Sequence, residues 1–430
     1  MKRTFSVSWP ILLLIVMPLI GVPPSEGGTT IEFWDVNTRA PHVAAFDQLM
    51  KDFERETGIA VKKSIFSTSE LMTQVAAAKA SGTLPDVILA DYGDTQSVSM
   101  GLMGVAAPVT DIITEKGEKY WVHPIFIKRA SFNNQTWGVP WITFPHVLVY
   151  RKDWFDEKKL AAPKTWDEWY KAAVALTEDT NKDGKIDRWG VVFGFKEGFP
   201  FMDLQCSNGD YWWDKNGNPT IGDRTRETID FFRKLSDNAM YPGSVNYTHE
   251  DTRLAFTKGI AAMIATSTSY LFPFDREVPK WFEEGKIAAT GIPVNVPGRE
   301  GTWIGYNSLV AVKGPREVQA KQFIRFVIRT DVAAKYFSAN VAGHIPALEE
   351  VYKDNSFWQA RAKFRSTYES AYQSVRASKW DEPVVPWSGL FFSKAGYDKL
   401  MANVYVNKWP TDKTMNWLIR TMVDVKEEWK

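Results

Sequence analysis

Residues 30–90 alternate between two kinds of pattern, and that alternation restricts the fold more than any other feature. Residues 30–34 (TIEFW) read as a compact apolar strand. Residues 43–57 follow with Phe46, Leu49, Met50 and Phe53 at helical spacing, and Gly58 ends that helix. Residues 59–66 read as a second strand, 69–81 as an Ala-rich helix closed by Gly82, and 87–90 (VILA) as a buried third strand. The order strand–helix–strand–helix–strand predicts a parallel sheet with helices over both faces. Ligands of such sheets sit beyond the carboxyl ends of the strands. Asp35, Asn37, Asp91 and Tyr92 leave those ends and are the first site candidates.

A chain of 430 residues is too long for one ordinary core and argues for two α/β units. Residues 137–155 (WGVPWITFPHVLVYRKDWF) read as the passage from one unit to the other. A turn at Gly138 and Pro140 precedes a short strand at 147–150, and then a helix begins with Thr165 as cap and Glu168 closing a capping box. Aromatic residues of that passage would line the cleft between the units. Residues 261–265 form another buried strand whose carboxyl end delivers 266–270, and residues 357–430 read as helical with a break at 382–389.

The charge balance narrows the partners. Lys and Arg number 52 against 51 Asp and Glu, which argues against nucleic acid or a membrane surface. The five His are scattered without metal spacing, and no G-x-S-x-G elbow is present. The single cysteine, Cys206, leaves the chain without an internal disulfide. Residues 1–27 carry Lys2 and Arg3, an apolar run at 11–20, and small residues at Ser25 and Gly27, the pattern of a cleaved signal peptide. An uncleaved anchor is the alternative. No cysteine stands near the end of the apolar run, which disfavours a lipid anchor, so the expected location is periplasmic or extracellular.

Several segments taken in order resemble a known family. They are 46–62 (FDQLMKDFERETGIAVK), 75–91 (VAAAKASGTLPDVILAD), the crossing, 163–173 (PKTWDEWYKAA), 254–265, 292–313 and 342–348 (AGHIPAL). The chain is similar to an extracellular solute-binding protein of an ABC importer, of the maltose-binding-protein-like group. The resemblance implies a two-lobed periplasmic-binding-protein fold of type II, each lobe a mostly parallel α/β sheet flanked by helices, with a hinge of crossing segments. The lobes would comprise residues 28–139 with 304–351, and 140–303 with 352–430. It also implies capture of a sugar without catalysis, delivery to a membrane permease, a monomeric state and no required cofactor. A secreted carbohydrate-active enzyme, which needs two carboxylates about the scissile bond, and a sugar-sensing module for a receptor are the competing readings.

A sugar site needs amides and carboxylates in the ring plane and aromatic rings above and below it. The candidates are Trp34, Asp35, Asn37, Glu70, Asp91, Tyr92, Trp141, Trp212, Tyr270, Trp303, His344 and Trp387. Tyr270 would take the stacking role that the family gives to an aromatic residue after this strand. For each aromatic the competing role is core packing, and for Asp35 and Asp91 a helix N-cap or a loop carboxylate. An aromatic content of 14%, with 19 Trp, favours an oligosaccharide, since each sugar ring needs its own platform. Few Arg or Lys join these walls, which disfavours acidic sugars; Arg39 and Arg299 are the exceptions. Asp179, Asn181, Asp183, Lys185 and Asp187, with Gly184 among them, match part of a calcium loop and make a structural Ca²⁺ a candidate. Gly190 stands where that loop needs a bidentate Glu, so a polar turn is the competing reading.

Overall fold

The computed structural model describes residues 28–91, 95–271, 274–340, 343–394 and 396–429. The leader pattern of residues 1–27 and Tyr92 lie outside the described residues. Strand β1 (Thr30–Asp35) runs parallel to both β2 (Ala60–Ile65) and β3 (Val87–Ala90), as the alternation requires. Helices α1 (Ala40–Thr57) and α2 (Thr68–Ser81) make the crossovers. Phe46, Leu49 and Phe53 of α1 are buried, and Phe46 stacks on Phe33 of β1 at 4.9 Å. Gly58 ends α1 in the left-handed region at φ 72°, its N–H donating to Glu54 O, a conformation that a side chain would strain.

After a small hairpin of β4 (Ser131–Phe132) and β5 (Gln135–Thr136) comes β6 (Val139–Arg151), 13 residues long. It is followed by β7 (Trp189–Val191), β8 (Ala261–Ser267), β9 (Ile287–Thr290), β10 (Ile304–Ala311) and β11 (Ile345–Pro346). All but the hairpin belong to a nine-stranded sheet with the main order β2-β1-β3-β10-β6-β8-β7. Strand β6 is much longer than the strand expected at 147–150. Pro140 suggested a non-strand start, because proline cannot donate to a ladder. The pairing absorbs it: the β6–β10 register shifts between Asn307 and Ser308, where Ser308 faces Pro140.

β6 changes partners along its length. Residues 139–145 pair antiparallel with β10, and Ile142 and Thr143 also with β11. From His146 onward it pairs antiparallel with β8, and from Leu148 with β9. Beyond this second half stands the helix Trp166–Ala175, begun by the expected box: Thr165 Oγ1 accepts from Glu168 N at 3.3 Å, and Glu168 accepts from Thr165 N at 3.2 Å. Its Trp166 and Trp169 face inward, Trp166 stacked on Phe231 at 4.3 Å. Each such side chain, when fully buried, contributes roughly 1.5–3 kcal/mol. Among the described residues no helix is long and apolar enough to cross a membrane.

Residues 179–187 turn their oxygens onto their own loop. Asp179 accepts from the amides of Asp183 and Gly184, Asn181 from Asp183, Asp183 from Lys185, and Asp187 from Thr180 N and Oγ1. Among the described residues no group of three His, Cys, Asp or Glu side chains is placed to hold a metal ion. Gly190, the twelfth position, serves packing instead: a Cβ there would meet Ala173 O at 2.1 Å. Gly190→Ala must push β7 off the helix Trp166–Ala175, and urea unfolding should show a loss of about 1–3 kcal/mol.

Two carboxyl groups in this half couple folding to pH. Asp210 is buried and accepts from Trp212 Nε1, Thr225 Oγ1 and Thr228 Oγ1, yet burial pushes its pKa up to about 6. Glu382 accepts from Trp212 N at 2.6 Å and is pushed by desolvation up to about 7. Unfolded, such groups titrate near ~4. Between about pH 4 and 7 the folded state therefore holds more protons, and stability falls as pH rises. The buried histidines His249 and His344, whose pKa values burial lowers, act in the opposite sense, so the carboxyl share is read by substitution: Glu382→Gln should raise the urea midpoint at pH 7.5 relative to that at pH 5.

Candidate functional site

The carboxyl ends of β1, β3 and β8 meet the middle of β6 around a cavity of about 260 Å³. Each end delivers its side chains by a local device. At the end of β1, Asp35 Oδ1 accepts from Asn37 N at 2.9 Å and Asn37 Oδ1 from Arg39 N at 3.2 Å. These two short turns carry the Asn37 and Arg39 side chains to the cavity wall. At the end of β3, Asp91 accepts from Asn307 Nδ2 at 2.8 Å and Thr68 Oγ1 at 2.9 Å. At the end of β8, Ser267, Ser269 and Tyr270 reach the opposite wall.

Asp35 itself does not reach the cavity. It is fully buried, and its Oδ2 accepts from His42 Nε2 at 2.8 Å. His42 Nδ1 in turn accepts from the Tyr336 hydroxyl at 2.6 Å, and the Asn340 amide joins Tyr336 at 2.7 Å to His344 Nδ1 at 3.1 Å. A buried polar chain thus runs from β1 to His344 on the cavity wall. Asn37 Nδ2, at 3.0 Å, and Arg39 Nη1, at 3.2 Å, both lie against His344 Nε2, whose single lone pair can serve one of them. Burial, with the nearby Arg39 charge, holds the His344 pKa well below its usual value, so the ring is neutral.

The far wall carries two more histidines. His146, from β6, bonds the buried Asp203 through Nδ1 at 2.9 Å, and its Nε2 has no partner. His249 bonds Thr266 Oγ1 through Nε2 at 2.7 Å, stacks on Tyr270 at 4.2 Å and leaves Nδ1 without a partner. Burial drives its pKa well below the usual value. Trp303, Phe144 and Phe199 complete an aromatic floor, with Trp303 4.8 Å from His146 and 5.1 Å from Phe199. Gly305 is what admits it, since a Cβ there would lie 2.0 Å from Phe144. Glu197 accepts from His249 N, and burial raises its pKa.

Of the sequence candidates, Asn37, Asp91, Tyr270, Trp303 and His344 come together in this cavity. The others lie elsewhere. Trp34 packs on Phe66 at 4.7 Å, Trp141 is buried against Tyr336 and Phe337, and Trp212 stacks on Tyr397 at 5.1 Å. Trp387 closes over Gly217 and Trp213, and Glu70 is exposed, capping α2 through Ser67. Residues the sequence did not single out are Thr68, Phe144, His146, Glu197, Phe199, His249 and Asn307. The run 266–270 was a usable signal for Ser267 and Ser269; nothing in the local pattern distinguished His146 or His249.

A family model for bacterial extracellular solute-binding proteins matches residues 38–334. The chain belongs to that family. It is similar to the diacetylchitobiose-binding protein DasA of Streptomyces coelicolor, 26% identical over 358 residues that cover 79% of each chain. The sugar-binding protein MalE of Xanthomonas citri superposes with a TM-score of 0.77 at 18% identity, covering 93% of this chain and 98% of that one. A solute-binding protein of Thermotoga lettingae with bound α-D-tagatose superposes with a TM-score of 0.75 at 18% identity, covering 92% and 99%. The fold is accordingly the two-lobed α/β fold of MalE-like periplasmic binding proteins. The chain is an exported solute-binding protein and not an enzyme.

Tyr336 is the middle link of the buried chain behind the cavity. Tyr336→Phe leaves His42 Nδ1 and the Asn340 amide short of a partner, which should lower stability by about 1–3 kcal/mol in urea unfolding.

Proposed function

We propose that this protein captures a sugar of one or two rings in the cavity and hands it, outside the cytoplasm, to the permease of an ABC importer. The observation that carries this reading is the mixture at the strand ends: hydrogen-bonding groups of Asn37, Arg39, Asp91 and Glu197 surround the ring faces of Tyr270 and Trp303. A sugar offers hydroxyls at its rim and C–H faces above and below, and this arrangement answers both. The size follows from the volume. A cavity of about 260 Å³ lies just below the ~300–1,000 Å³ usual for small-molecule sites. Trp34, Trp141, Trp212 and Trp387 are engaged in packing, which removes the platforms that favoured a longer chain.

In this reading the lobes comprise residues 28–139 with 304–351 and 140–303 with 352–430, and they close over the sugar. Crossings at 140–144 and 297–305 form the hinge. The change of partners along β6 at His146 supports a crossing within that strand. The protein acts as a monomer, with no metal or cofactor in the binding step. Its export by a leader at residues 1–27 and the absence of a lipid anchor belong to the same proposal.

Isothermal titration against a panel of mono- and disaccharides, with the ligand recovered afterwards by chromatography, tests this. One sugar should bind and be recovered intact. Tyr270→Ala and Trp303→Ala should each weaken it by about tenfold or more, as lost aromatic contacts do. Unchanged affinity in both variants, or no binding by any sugar, would overturn the proposal.

A further inference from the structure

Arg39 stands apart from the other part-buried arginines near the cleft and its rim. Arg299 pairs with Glu227 at 2.9 Å, and Arg253 with Glu250 and Glu277. Among the described residues Arg39 makes no ion pair; its side chain has one hydrogen bond, with neutral His344, and lies over the Tyr270 ring at 5.7 Å. Desolvation works against its charge, yet a guanidinium does not give up its proton in a protein. The cavity wall therefore holds a permanent cation with unused N–H groups. Asp91 and Glu250 attract its charge without forming an ion pair with it among the described residues; Asp91 accepts from Asn307 and Thr68, and Glu250 from Arg253. The amino end of α1, which begins directly after Arg39 and has no acidic residue in its first turn, adds potential of the same sign.

The opposite side of the cavity asks for something different. His146 Nε2 and His249 Nδ1 are buried nitrogens without partners, on rings 5.5 Å apart. His146 Nδ1 is engaged by Asp203, which leaves its Nε2 for a ligand hydroxyl, a group that both donates and accepts. A ligand that satisfies both ends is anionic at one corner and hydroxylated at the other. Resting on the sugar-binding reading above, we infer that the saccharide this cleft takes carries a carboxylate, as a uronic acid does, and that Arg39 holds that carboxylate. The planar fork of a guanidinium matches two carboxylate oxygens, which a neutral hydroxymethyl group cannot offer. Asp91 and Glu197 remain to accept from ring hydroxyls. This reverses the expectation against acidic sugars, which rested on how few cations were counted rather than on where one of them lies.

The test is titration calorimetry of the wild-type protein with D-galacturonate, D-glucuronate and digalacturonate. Their methyl esters and the corresponding neutral sugars, mono- and disaccharide, are titrated beside them. One acid should bind about a hundredfold tighter than its own methyl ester, the margin that charge-assisted hydrogen bonds supply. In R39Q, whose folding is checked by its thermal midpoint, acid and ester should bind alike. A neutral sugar or ester that binds as tightly as the acid overturns the inference while leaving sugar binding standing. A preference for the acid that survives in R39Q overturns the role of Arg39. Binding of no saccharide, acidic or neutral, overturns this inference and the proposed function together.

Discussion

The structure depends on one strand serving two neighbourhoods. β6 runs without a break from Val139 to Arg151, antiparallel first to β10 and then to β8. Its middle, from Phe144 to His146, is the point where ladder partners change, and side chains there face the cavity rather than a continuous core. A ladder that continued with the same partners would bury this point on both sides. The exchange of partners opens the sheet there, and the carboxyl ends of β1, β3 and β8 converge on the opening. That is how the rule for open α/β sheets, with ligands beyond strand ends, is realised in this chain.

Most of the fold was legible because it follows from periodicity and capping. The strands and helices over 30–90 lie within a few residues of their expected limits, since glycines at 58 and 82 end the helices through left-handed caps that no other signal obscures. The box at Thr165 and Glu168 formed as the residues demanded. The extent of β6 was not legible. Pro140 argues against a strand locally, and only the shift in its pairing with β10, far away in sequence, makes room for it, with Trp141 as the extra residue on β6.

The cavity was legible in part, for a different reason. Strand ends identify where side chains leave a sheet, and Asn37, Asp91 and Tyr270 were found that way. Periodicity cannot say which aromatic faces in: Trp141 and Trp303 look equivalent in the sequence, yet Trp141 packs on Tyr336 and Phe337 while Trp303 reaches the cavity floor. Asp35 is the loop carboxylate of its alternatives, accepting from Asn37 N, and it also anchors a buried chain of His42 from the adjoining helix and the distant Tyr336 and Asn340. Only the tertiary structure assembles that chain.

The segment around His344 shows why the cation of the cleft is an arginine. Arg361 lies beneath this segment, donating to Asn340 O at 2.7 Å and His344 O at 3.2 Å, with its face over Phe357 at 4.2 Å. Arg39 approaches the same imidazole from the cavity side. A ring set among two guanidiniums and His42, and withdrawn from water, cannot take up a proton cheaply, and all of these influences push its pKa the same way. His344 therefore stays uncharged beside Arg39. A histidine in the place of Arg39 would lose its charge under the same desolvation, whereas arginine retains its own. The two arginines divide the work. Arg361, donating to backbone carbonyls, holds the segment, and Arg39, set between the His344 ring and the face of Tyr270 at 5.7 Å, keeps its charge turned toward whatever enters the cleft.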